Sequence, residues 1–475
     1  MREASSAQAM KNHCDDILLA AWSRTLARRA NEPAIFDTRR KIVCSFAQIE
    51  ERARFFENQS ALGEFDPGEV IAIQIGNHAD WPALLIACLR GQLVVLPIET
   101  GIAEQEREAA LRTCRVAGIV NCPEPDQQIG RINSGDVIDW DERRPALLKL
   151  TSGTTAAPRA IRFRSAQLLA DCEQICETMR ITEADVNFGV ISVSHSYGFS
   201  NLITPLIARG VAMVLSRDRM PRAVLDNLAR TEATVFPGMP LFFQAFGEME
   251  AVPPLPKLRL WISAGAPLTL AVGRKFREKF PKPIHSFYGA SECGGICYDR
   301  KAPARVEGFV GAAMSGVQLE ALEPGTQAGR VRVRSAAVGD DYFPEPDREK
   351  LGHGFFVPDD LIELAEEGAR IVGRTSDVIN VAGKKVNPAE VEAQLLRFVG
   401  VRQAVAFGRE SNLRNQDVVA CVVAAPQVRE SDLLEFCREQ LSGWQVPKRI
   451  YFVDRIPANE RGKINRREVA RQFAS

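Results

Sequence analysis

Hydrophobic positions along the first third of the chain recur with two different periods. Ile17 to Ala30 and Trp81 to Arg90 show helical spacing, whereas VIAIQI (70–75), LVVLP (93–97) and Ala146 to Leu150 are short apolar runs typical of buried strands. Strands that alternate with helices indicate a parallel, doubly wound sheet. The pattern therefore predicts an α/β fold.

The centre of the chain continues this alternation. A helical pattern begins near Ser165, and an apolar run from Val190 stops at His195, which predicts a histidine at the end of a strand. Leu206 to Leu215 predicts another strand, and Leu258 to Leu268 predicts a strand that runs into a turn of small residues. The α/β pattern thus extends well past the middle of the chain.

Length and charge narrow the class of protein. A chain of 475 residues exceeds one compact core, so two or more domains are expected. Sixty basic and 60 acidic residues give zero net charge, which favours neither a nucleic acid nor an acidic membrane as partner. The sequence has no apolar run of about eighteen residues and no signal-peptide pattern at its start. We therefore expect a cytoplasmic protein without a membrane span.

Cysteine usage points to a reducing compartment. The chain has eleven cysteines without a paired framework, and an odd number argues against a fully oxidised secreted protein. Two CxxxC pairs occur, Cys172/Cys176 and Cys293/Cys297, but no histidine or second pair completes a zinc set. We interpret these cysteines as small buried thiols.

The segment LTSGTTAAPRAI (150–161) carries the first candidate chemistry. Hydroxyl groups, a glycine that lets backbone N–H groups approach an anion, and a cation suit a polyphosphate, although the spacing is not that of a Walker loop. The preceding apolar run and the following helical pattern predict a strand–loop–helix context. The candidate phosphate-binding residues are Thr151, Ser152, Gly153, Thr154, Thr155 and Arg159.

This segment resembles the phosphate-loop signature of the adenylate-forming (AMP-binding) superfamily, whose pattern is approximately TSGTTGxPKG. That superfamily includes acyl- and aryl-CoA synthetases, adenylation domains of peptide synthetases, and luciferases. The chain keeps the pattern from Thr151 to Thr155 and at Pro158, and it departs from it at Ala156, Arg159 and Ala160. Arginine at the lysine position keeps the charge and adds a planar fork.

A second motif, SFYGASECGG (286–295), follows in the family order. The resemblance implies that Tyr288 offers a flat face to adenine, that Gly289 lets the chain turn beneath it, and that Ser291 stands where the family usually has a threonine touching the α-phosphate. Glu292 is the expected ligand of Mg²⁺. An earlier turn resembles the one that contacts adenine through its backbone, formed here by Gly265, Ala266 and Pro267.

The acyl side of the site is expected between these motifs. His195 and Gly198 match the family's HxxG segment, whose histidine lies beside the substrate carboxylate, and FPGMP (236–240) matches a loop that lines the acyl pocket. Small residues at the far wall leave room for an aromatic or medium-chain acid. By family position the pocket would be lined by His195, Tyr197, Phe199, Gly238, Gly265, Gly294 and Gly295.

The last third of the chain carries the remaining motifs. By resemblance Asp360 takes the place of the aspartate that holds both ribose hydroxyls, although the neighbouring Pro358 and Asp359 depart from the pattern, and Arg374 contacts ribose and phosphate. By the same resemblance Ser376 occupies the hinge position of the family. Gly383 lies beside the path of the thiol acceptor, and PANERGKINRR (457–467) carries the expected catalytic lysine, Lys463.

Taken together, the motifs imply a large N-terminal domain of doubly wound sheets with a β-rich subdomain (residues 1–375) and a small mobile C-terminal α+β domain (376–475). The implied reaction joins a small-molecule carboxylic acid to ATP, with Mg²⁺, to give an acyl-adenylate. The acyl group then passes to the thiol of coenzyme A.

Three alternatives stay open. The acceptor could instead be the phosphopantetheine of a stand-alone acyl carrier protein, and Lys384 and Lys385 suit either the phosphates of coenzyme A or an acidic carrier helix. A non-catalytic nucleotide sensor would bind ATP without releasing pyrophosphate. A luciferase-like oxygenation belongs to the same superfamily, but no residue distinguishes it.

Overall fold

The computed structural model describes residues 16–59, 61–121, 129–132, 138–151, 158–411, 415–457 and 466–473. The chain forms two compact units. The larger unit contains the described residues up to Glu320 together with Arg332–Val357, and the smaller unit contains Ala321–Val331 and the described residues from Pro358 onwards. The boundary expected between residues 375 and 376 stays a prediction.

Two mixed sheets form the frame of the larger unit. In the first, the strand order is β2-β1-β10-β9-β11-β12-β13-β14-β15, and in the second it is β18-β8-β7-β4-β3-β5-β6, while a four-stranded sheet has the order β16-β17-β20-β19. The strands wholly or mostly in this unit are β1 Pro33–Phe36, β2 Ile42–Ser45, β3 Val70–Ile73, β4 Val94–Pro97, β5 Val116–Val120, β6 Ile129–Arg131, β7 Leu147–Leu150, β8 Ala160–Phe163, β9 Val186–Gly189, β10 Ala212–Leu215, β11 Val235–Gly238, β12 Leu260–Ser263, β13 Ile284–Ala290, β14 Gly294–Tyr298, β15 Phe309–Ala313, β16 Gln318–Ala321, β17 Val331–Arg334, β18 Tyr342–Phe343, β19 Leu351–Gly352 and β20 Phe355–Phe356.

The central strands of both large sheets run parallel, and helices connect them. Strands β9, β10, β11, β12 and β13 pair in parallel in the first sheet, as do β3, β4, β5 and β7 in the second. The helical segments are α1 Ile17–Arg29, α2 Phe46–Gln59, a 3₁₀ turn Ala61–Glu64, α3 Trp81–Arg90, α4 Glu104–Thr113, α5 Ser165–Met179, α6 Ser196–Gly198, a π-helical segment Phe199–Ile203, α7 Thr204–Arg209, α8 Pro221–Thr231, α9 Pro240–Glu248 and α10 Leu270–Arg277. This is the predicted doubly wound α/β fold.

Burial explains the apolar runs of the central strands. Every residue of β3 (VIAI) and β4 (VVLP) is buried, as expected for parallel strands that are covered on both faces. Around β11 and β12 an aromatic cluster fills the core, with the Phe236 ring 5.3 Å from that of Trp261 and 5.8 Å from that of Phe243. These strands therefore form a rigid frame for the loops at their ends.

The structure corrects three predicted segments. Leu206 belongs to helix α7 and not to a strand, so only Ala212–Leu215 of the predicted strand is extended. The strand before His195 ends at Gly189, and His195 is the N-cap residue of α6. The phosphate loop is followed by strand β8 before helix α5 begins at Ser165, so its context is strand–loop–strand.

The smaller unit is a compact α+β structure. Its main sheet has the order β24-β23-β26-β25, with β27 parallel to β26, and β21 pairs antiparallel with β22. Its elements are β21 Asp360–Ala365, β22 Gly368–Arg374, a 3₁₀ turn Thr375–Asp377, β23 Ile379–Val381, β24 Lys384–Val386, α11 Pro388–Leu395, β25 Val401–Ser411, β26 Asn415–Ala424, α12 Glu430–Gln440, β27 Arg449–Phe452 and α13 Arg466–Gln472.

Successive residues of β25 lie on opposite faces of the sheet, and each face carries its own hydrophobic core. Ala404 and Ala406 belong to a cluster with residues of α11 and α12, whereas Val405 and Phe407 belong to a cluster on the other face with Val469 of α13. Helix α11 begins with a proline in its first turn, and the side chain of its N-cap residue Asn387 accepts a hydrogen bond from the Ala389 N–H. No helix among the described ranges has the length and apolar character needed to cross a membrane.

Candidate active site

The two described ends of the phosphate loop are tied together. Leu150 pairs with Ala160, and both the backbone N–H and the hydroxyl of Thr151 donate to the carbonyl oxygen of Arg159, at 2.8 and 3.2 Å. The loop is therefore closed by the antiparallel pair β7 and β8. Its residues Ser152, Gly153, Thr154 and Thr155, and the departure Ala156, lie outside the described residues.

Arg159 and Glu292 meet at one aromatic ring. The guanidinium carbon of Arg159 lies 4.0 Å from the centroid of the Tyr342 ring, and the Tyr342 hydroxyl donates to Glu292 Oε1 at 3.0 Å. Burial, together with the charge of Glu292, raises the pKa of Tyr342 well above its ordinary value, so the hydroxyl stays protonated. The structure thus brings the predicted phosphate-binding cation and the predicted metal ligand together.

Two nitrogen atoms of the Arg159 guanidinium have no hydrogen-bond acceptor among the described residues. Its Nε and Nη2 atoms are buried and make no hydrogen bond in the described part of the chain. Leaving buried donors of a charged group unpaired is costly, by about 1–3 kcal/mol or more. These two donors fit an anionic oxygen that arrives with a ligand, as a polyphosphate would supply.

Strand β13 presents the second motif. Tyr288 is 9% exposed and Gly289 is exposed, and a Cβ atom at Gly289 would lie 2.6 Å from the carbonyl oxygen of Gly294, so the turn requires glycine. The Ser196 hydroxyl donates to the Ser291 hydroxyl at 3.0 Å. The motif predicted to bind adenine and the α-phosphate is thereby joined to the start of helix α6.

His195 is fixed as a helix cap. Its Nδ1 atom accepts the backbone N–H of Tyr197 at 3.2 Å. In the neutral ring Nε2 therefore carries the proton and can donate to an oxygen. Gly198 of the HxxG segment has a packing reason of its own, because a Cβ atom there would lie 2.0 Å from the Ser192 carbonyl oxygen.

Tyr197 contacts Gly238, another of the residues predicted to line the acyl pocket. Its hydroxyl lies 3.4 Å from the carbonyl oxygens of Gly238 and Ile262, and its ring centroid is 5.8 Å from that of Phe287. Burial raises the pKa of Tyr197 well above its ordinary value. Phe199 is 1% exposed, and its ring packs against Trp81.

The paired glycines after Glu292 are small for reasons within the protein itself. A Cβ atom at Gly294 would lie 2.0 Å from Asp171 Oδ1, and one at Gly295 would lie 2.6 Å from the sulfur of Met314. Asp171 Oδ1 also accepts the N–H of Gly295 at 3.0 Å. These contacts account for both glycines without a substrate.

The turn predicted to contact adenine is open. Gly265 has φ +86° and is exposed, as is Pro267, while Ala266 is partly exposed. A Cβ atom at Gly265 would meet only a Met239 carbon, at 3.9 Å. Backbone conformation and not crowding requires glycine here, and the turn leaves space for a flat ligand.

The smaller unit holds the predicted ribose residues. Asp360 and Arg374 are cross-strand partners in the hairpin of β21 and β22, and Arg374 Nε donates to Asp360 Oδ1 at 2.7 Å. Asp360 is 8% exposed. Gly383 has φ +84° in the exposed turn between β23 and β24, where its N–H donates to Asn380 Oδ1 at 2.9 Å.

Lys463 lies outside the described residues, but the start of the next helix is described. Arg466 ion-pairs with Asp377 at 2.6 Å and with Glu392 at 2.7 Å. Asp377 directly follows Ser376, the predicted hinge residue. Helix α13 is therefore held against α11 and the 3₁₀ turn by one guanidinium.

Sequence reasoning missed Lys149, Asp171 and Tyr342. Lys149 is 5% exposed, and its ammonium lies 4.4 Å from the Phe163 ring centroid. Burial lowers the pKa of Lys149, and Asp171 is the nearby acid that counteracts this most. Lys149 could have been noticed in the sequence, because it is a charged residue inside an otherwise apolar strand (LLKL, 147–150). No sequence pattern pointed to Tyr342.

The described residues contain no cluster of three or more histidine, cysteine or acidic side chains that could hold a metal ion. Mg²⁺ commonly uses only one or two protein carboxylates and takes its other ligands from phosphates and water. Glu292, which contacts the same Tyr342 side chain as Arg159 does, fits that mode of binding. The residues present are thus compatible with Mg²⁺ bound together with a polyphosphate.

Comparisons with known proteins give the family. Residues 22–343 match the AMP-binding enzyme family, and residues 390–463 match the AMP-binding enzyme C-terminal domain. The oxalate–CoA ligase of Arabidopsis thaliana is 26% identical over 457 residues, which cover 86% of this chain and 89% of the relative. The 3,4-dihydroxybenzoate–[aryl-carrier protein] ligase of Bacillus anthracis is 28% identical over 336 residues, which cover 70% and 75%.

The fold has close relatives among solved structures. The crystal structure of ATP-bound MatB from Rhodopseudomonas palustris superposes with a TM-score of 0.83, at 23% identity, and covers 96% of this chain and 99% of that one. The predicted α/β architecture is thereby confirmed. The chain belongs to the AMP-binding enzyme family, as the order of its motifs predicted.

Proposed function

We propose that this protein is an AMP-forming acid–thiol ligase that activates a carboxylic acid with ATP and transfers the acyl group to coenzyme A. In the first step a carboxylate oxygen attacks the α-phosphorus of ATP, the bond to the β-phosphate breaks, and pyrophosphate leaves with the electron pair. In the second step the thiol attacks the acyl carbon, AMP leaves, and the thiol proton is released.

The observation that carries this proposal is the arrangement of Arg159, Tyr342 and Glu292. Both reactants of the first step are anions, so the site must supply positive charge. Arg159 offers two buried donor nitrogens that have no acceptor within the described ranges, and its carbonyl oxygen accepts from Thr151 across the base of the predicted phosphate loop. Glu292 is the residue that would hold Mg²⁺, which when bound neutralises phosphate charge.

The other residues would orient the substrates. His195, with its proton on Nε2, would donate to the carboxylate, and Tyr288 and the turn at Gly265 would hold adenine. Asp360 and Arg374 would hold the ribose, and Lys463 would bridge the carboxylate and the α-phosphate as charge develops. Positioning of two bound reactants supplies much of the rate enhancement in such a reaction.

The test is acid-dependent exchange of pyrophosphate into ATP, with hydroxamate trapping of the acyl-adenylate, over a panel of aliphatic, dicarboxylic and aromatic acids. We expect one class of acid to react, and Lys463→Ala to lose that reaction. Parallel reactions with coenzyme A should give a thioester. Exchange that is absent with every acid, while ATP still binds, would favour the non-catalytic nucleotide sensor.

A carrier-protein acceptor is the second candidate. The observation that favours it is the aryl-carrier protein ligase among the relatives. Lys384 and Lys385 are exposed, and the Lys384 ammonium lies 3.6 Å from the centroid of the Trp444 ring. This cationic surface beside Gly383 suits the phosphates of coenzyme A and an acidic carrier helix alike. Acyl-adenylate formation without thioester formation on coenzyme A would support the carrier.

A further inference from the structure

Tyr342 contacts both charged residues of the proposed nucleotide site. It lies in the two-residue strand β18, where it pairs with Ile161 of β8, two positions after Arg159. The residue is 4% exposed. Its hydroxyl donates to Glu292 Oε1 at 3.0 Å, and its ring lies under the Arg159 guanidinium at 4.0 Å.

The Tyr342 ring suits an arginine at position 159 better than it would suit a lysine. A planar guanidinium stacks on an aromatic face and keeps its N–H groups in one plane, whereas an ammonium is a point charge on a flexible stem. The Tyr342 ring, 4.0 Å from the guanidinium carbon, therefore helps to position the Nε and Nη2 groups of Arg159, which have no acceptor in the described part of the chain. This gives a physical reason for the arginine that departs from the family pattern.

The hydroxyl fixes the carboxylate. A protonated hydroxyl that donates to Oε1 selects one orientation of the Glu292 side chain, and the Gly339 N–H, which donates to the Glu292 carbonyl at 2.9 Å, holds its backbone. Partners of this kind orient metal ligands, and their loss typically weakens metal affinity or activity by about 10- to 100-fold.

We propose that Tyr342 is the positioning residue that couples the phosphate-loop arginine to the metal-binding glutamate, through its ring and its hydroxyl respectively. The proposal rests on the proposed function. Two substitutions test the contribution of the hydroxyl separately from that of the ring. Tyr342→Phe removes the hydroxyl and keeps the ring, whereas Tyr342→Leu removes both.

The first readout is binding of Mg²⁺ with a non-hydrolysable ATP analogue, measured by calorimetry at several Mg²⁺ concentrations. Tyr342→Phe should raise the Mg²⁺ concentration needed for half-maximal binding by about tenfold and leave metal-free analogue binding nearly unchanged. Tyr342→Leu should weaken metal-free binding as well. Arg159→Lys should lose less affinity in the Tyr342→Leu background than in the wild-type protein.

Tyr298→Phe is the matched control, since Tyr298 is a buried tyrosine of the same unit, 3% exposed, outside the proposed site. It should leave the Mg²⁺ dependence unchanged. A Mg²⁺ dependence of Tyr342→Phe equal to that of wild type overturns the proposal. The proposal is also overturned if Tyr342→Phe and Tyr342→Leu lose the same binding affinity and both have a lower melting temperature. That result would mean that Tyr342 has only a structural role.

Pyrophosphate exchange separates this inference from the proposed function. If the wild-type protein exchanges with no acid, the ligase function fails, while the binding measurements still decide the role of Tyr342. If the wild-type protein exchanges and the tyrosine variants keep its Mg²⁺ dependence, only the role of Tyr342 fails.

Discussion

At the scale of single residues, the site combines groups that the sequence identifies with groups that only the fold brings near. Arg159 and Glu292 were predicted from motifs, and the structure places both on Tyr342. Tyr342 lies 50 positions from Glu292, on a two-residue strand too short for a periodic pattern. Contacts of this kind depend on strand order, which local sequence does not encode.

Lys149 and Asp171 allow a test of charge coupling inside the larger unit. Both are buried, and Asp171 also accepts the Gly295 N–H. Lys149→Met or Asp171→Asn alone should lower the free energy of unfolding by about 1–3 kcal/mol, because each removes one of two buried groups of opposite charge that compensate one another. Asparagine can keep the acceptor for Gly295. The double variant should lose less than the sum of the two single losses.

Urea unfolding of the four proteins measures this coupling. Lys257→Met, at an exposed position, is the control and should change the unfolding free energy by less than about 0.5 kcal/mol. Strict additivity of the two buried substitutions would show that the charges do not stabilise one another.

His285 should make stability depend on pH. Its Nδ1–H donates to the Asp299 carbonyl at 2.7 Å, its ring stacks on Tyr298, and burial lowers its pKa. Below about pH 6.5 the unfolded chain therefore binds more protons at this residue than the folded one does, so stability falls as the pH falls. His285→Asn can keep the donor without the titration.

Melting temperatures between about pH 7.5 and 5.5 check this expectation. The wild-type protein should lose more stability over that range than His285→Asn does. Burial raises the pKa of the neighbouring Asp299 and His285 counteracts that rise, so the difference between the two proteins reports the titration of His285 together with its coupling to Asp299. Parallel pH curves for the two proteins would contradict the prediction.

At the scale of elements, periodicity predicted the parallel strands and most helices but failed where apolar residues are buried outside strands. Ile191 and Val193 are 4% and 0% exposed without belonging to a strand, and Leu206 and Ile207 are buried in a helix. A short apolar run reports burial, and it cannot by itself separate a strand from a packed loop or a helical turn.

The turn after Glu292 gives an element-scale prediction. Gly294 has φ +68°, and a Cβ atom would strike Asp171 Oδ1, so Gly294→Ala combines backbone strain of about 1–2 kcal/mol with overpacking of about 1–3 kcal/mol. Gly273 lies in helix α10, where a Cβ atom would meet nothing within 4 Å. Gly273→Ala should therefore stabilise the protein by about 0.5–1 kcal/mol.

Chemical denaturation of the two alanine variants provides the comparison. We expect Gly294→Ala to lower the free energy of unfolding and Gly273→Ala to raise it. Both variants add one methyl group to a glycine, so the added methyl group alone cannot explain a difference between them. A stability of Gly294→Ala equal to that of the wild-type protein would mean that the turn can rearrange, and that its geometry does not fix Glu292.

At the scale of the whole molecule, the order of the motifs along the chain predicted the family and its fold. The two compact units were also foreseen in outline. The hairpin Asp360–Arg374 clusters with the smaller unit, although its residues were assigned to the N-terminal domain. Contacts that are distant in sequence decide such a grouping, and spacing alone does not report them.

The hinge assignment gives the last prediction. Ser376 is the middle residue of the 3₁₀ turn Thr375–Asp377, and Asp377 is held by Arg466 of the helix that follows Lys463. If Ser376 is a hinge between two catalytic conformations, Ser376→Pro should restrict the backbone there and impair the two half-reactions unequally. Pyrophosphate exchange measures adenylation, and thioester formation from supplied acyl-adenylate measures the second step. Ser376→Ala, which leaves the backbone free, should keep both. Equal loss of both half-reactions in the proline variant, with an unchanged melting temperature, would remove Ser376 from the hinge.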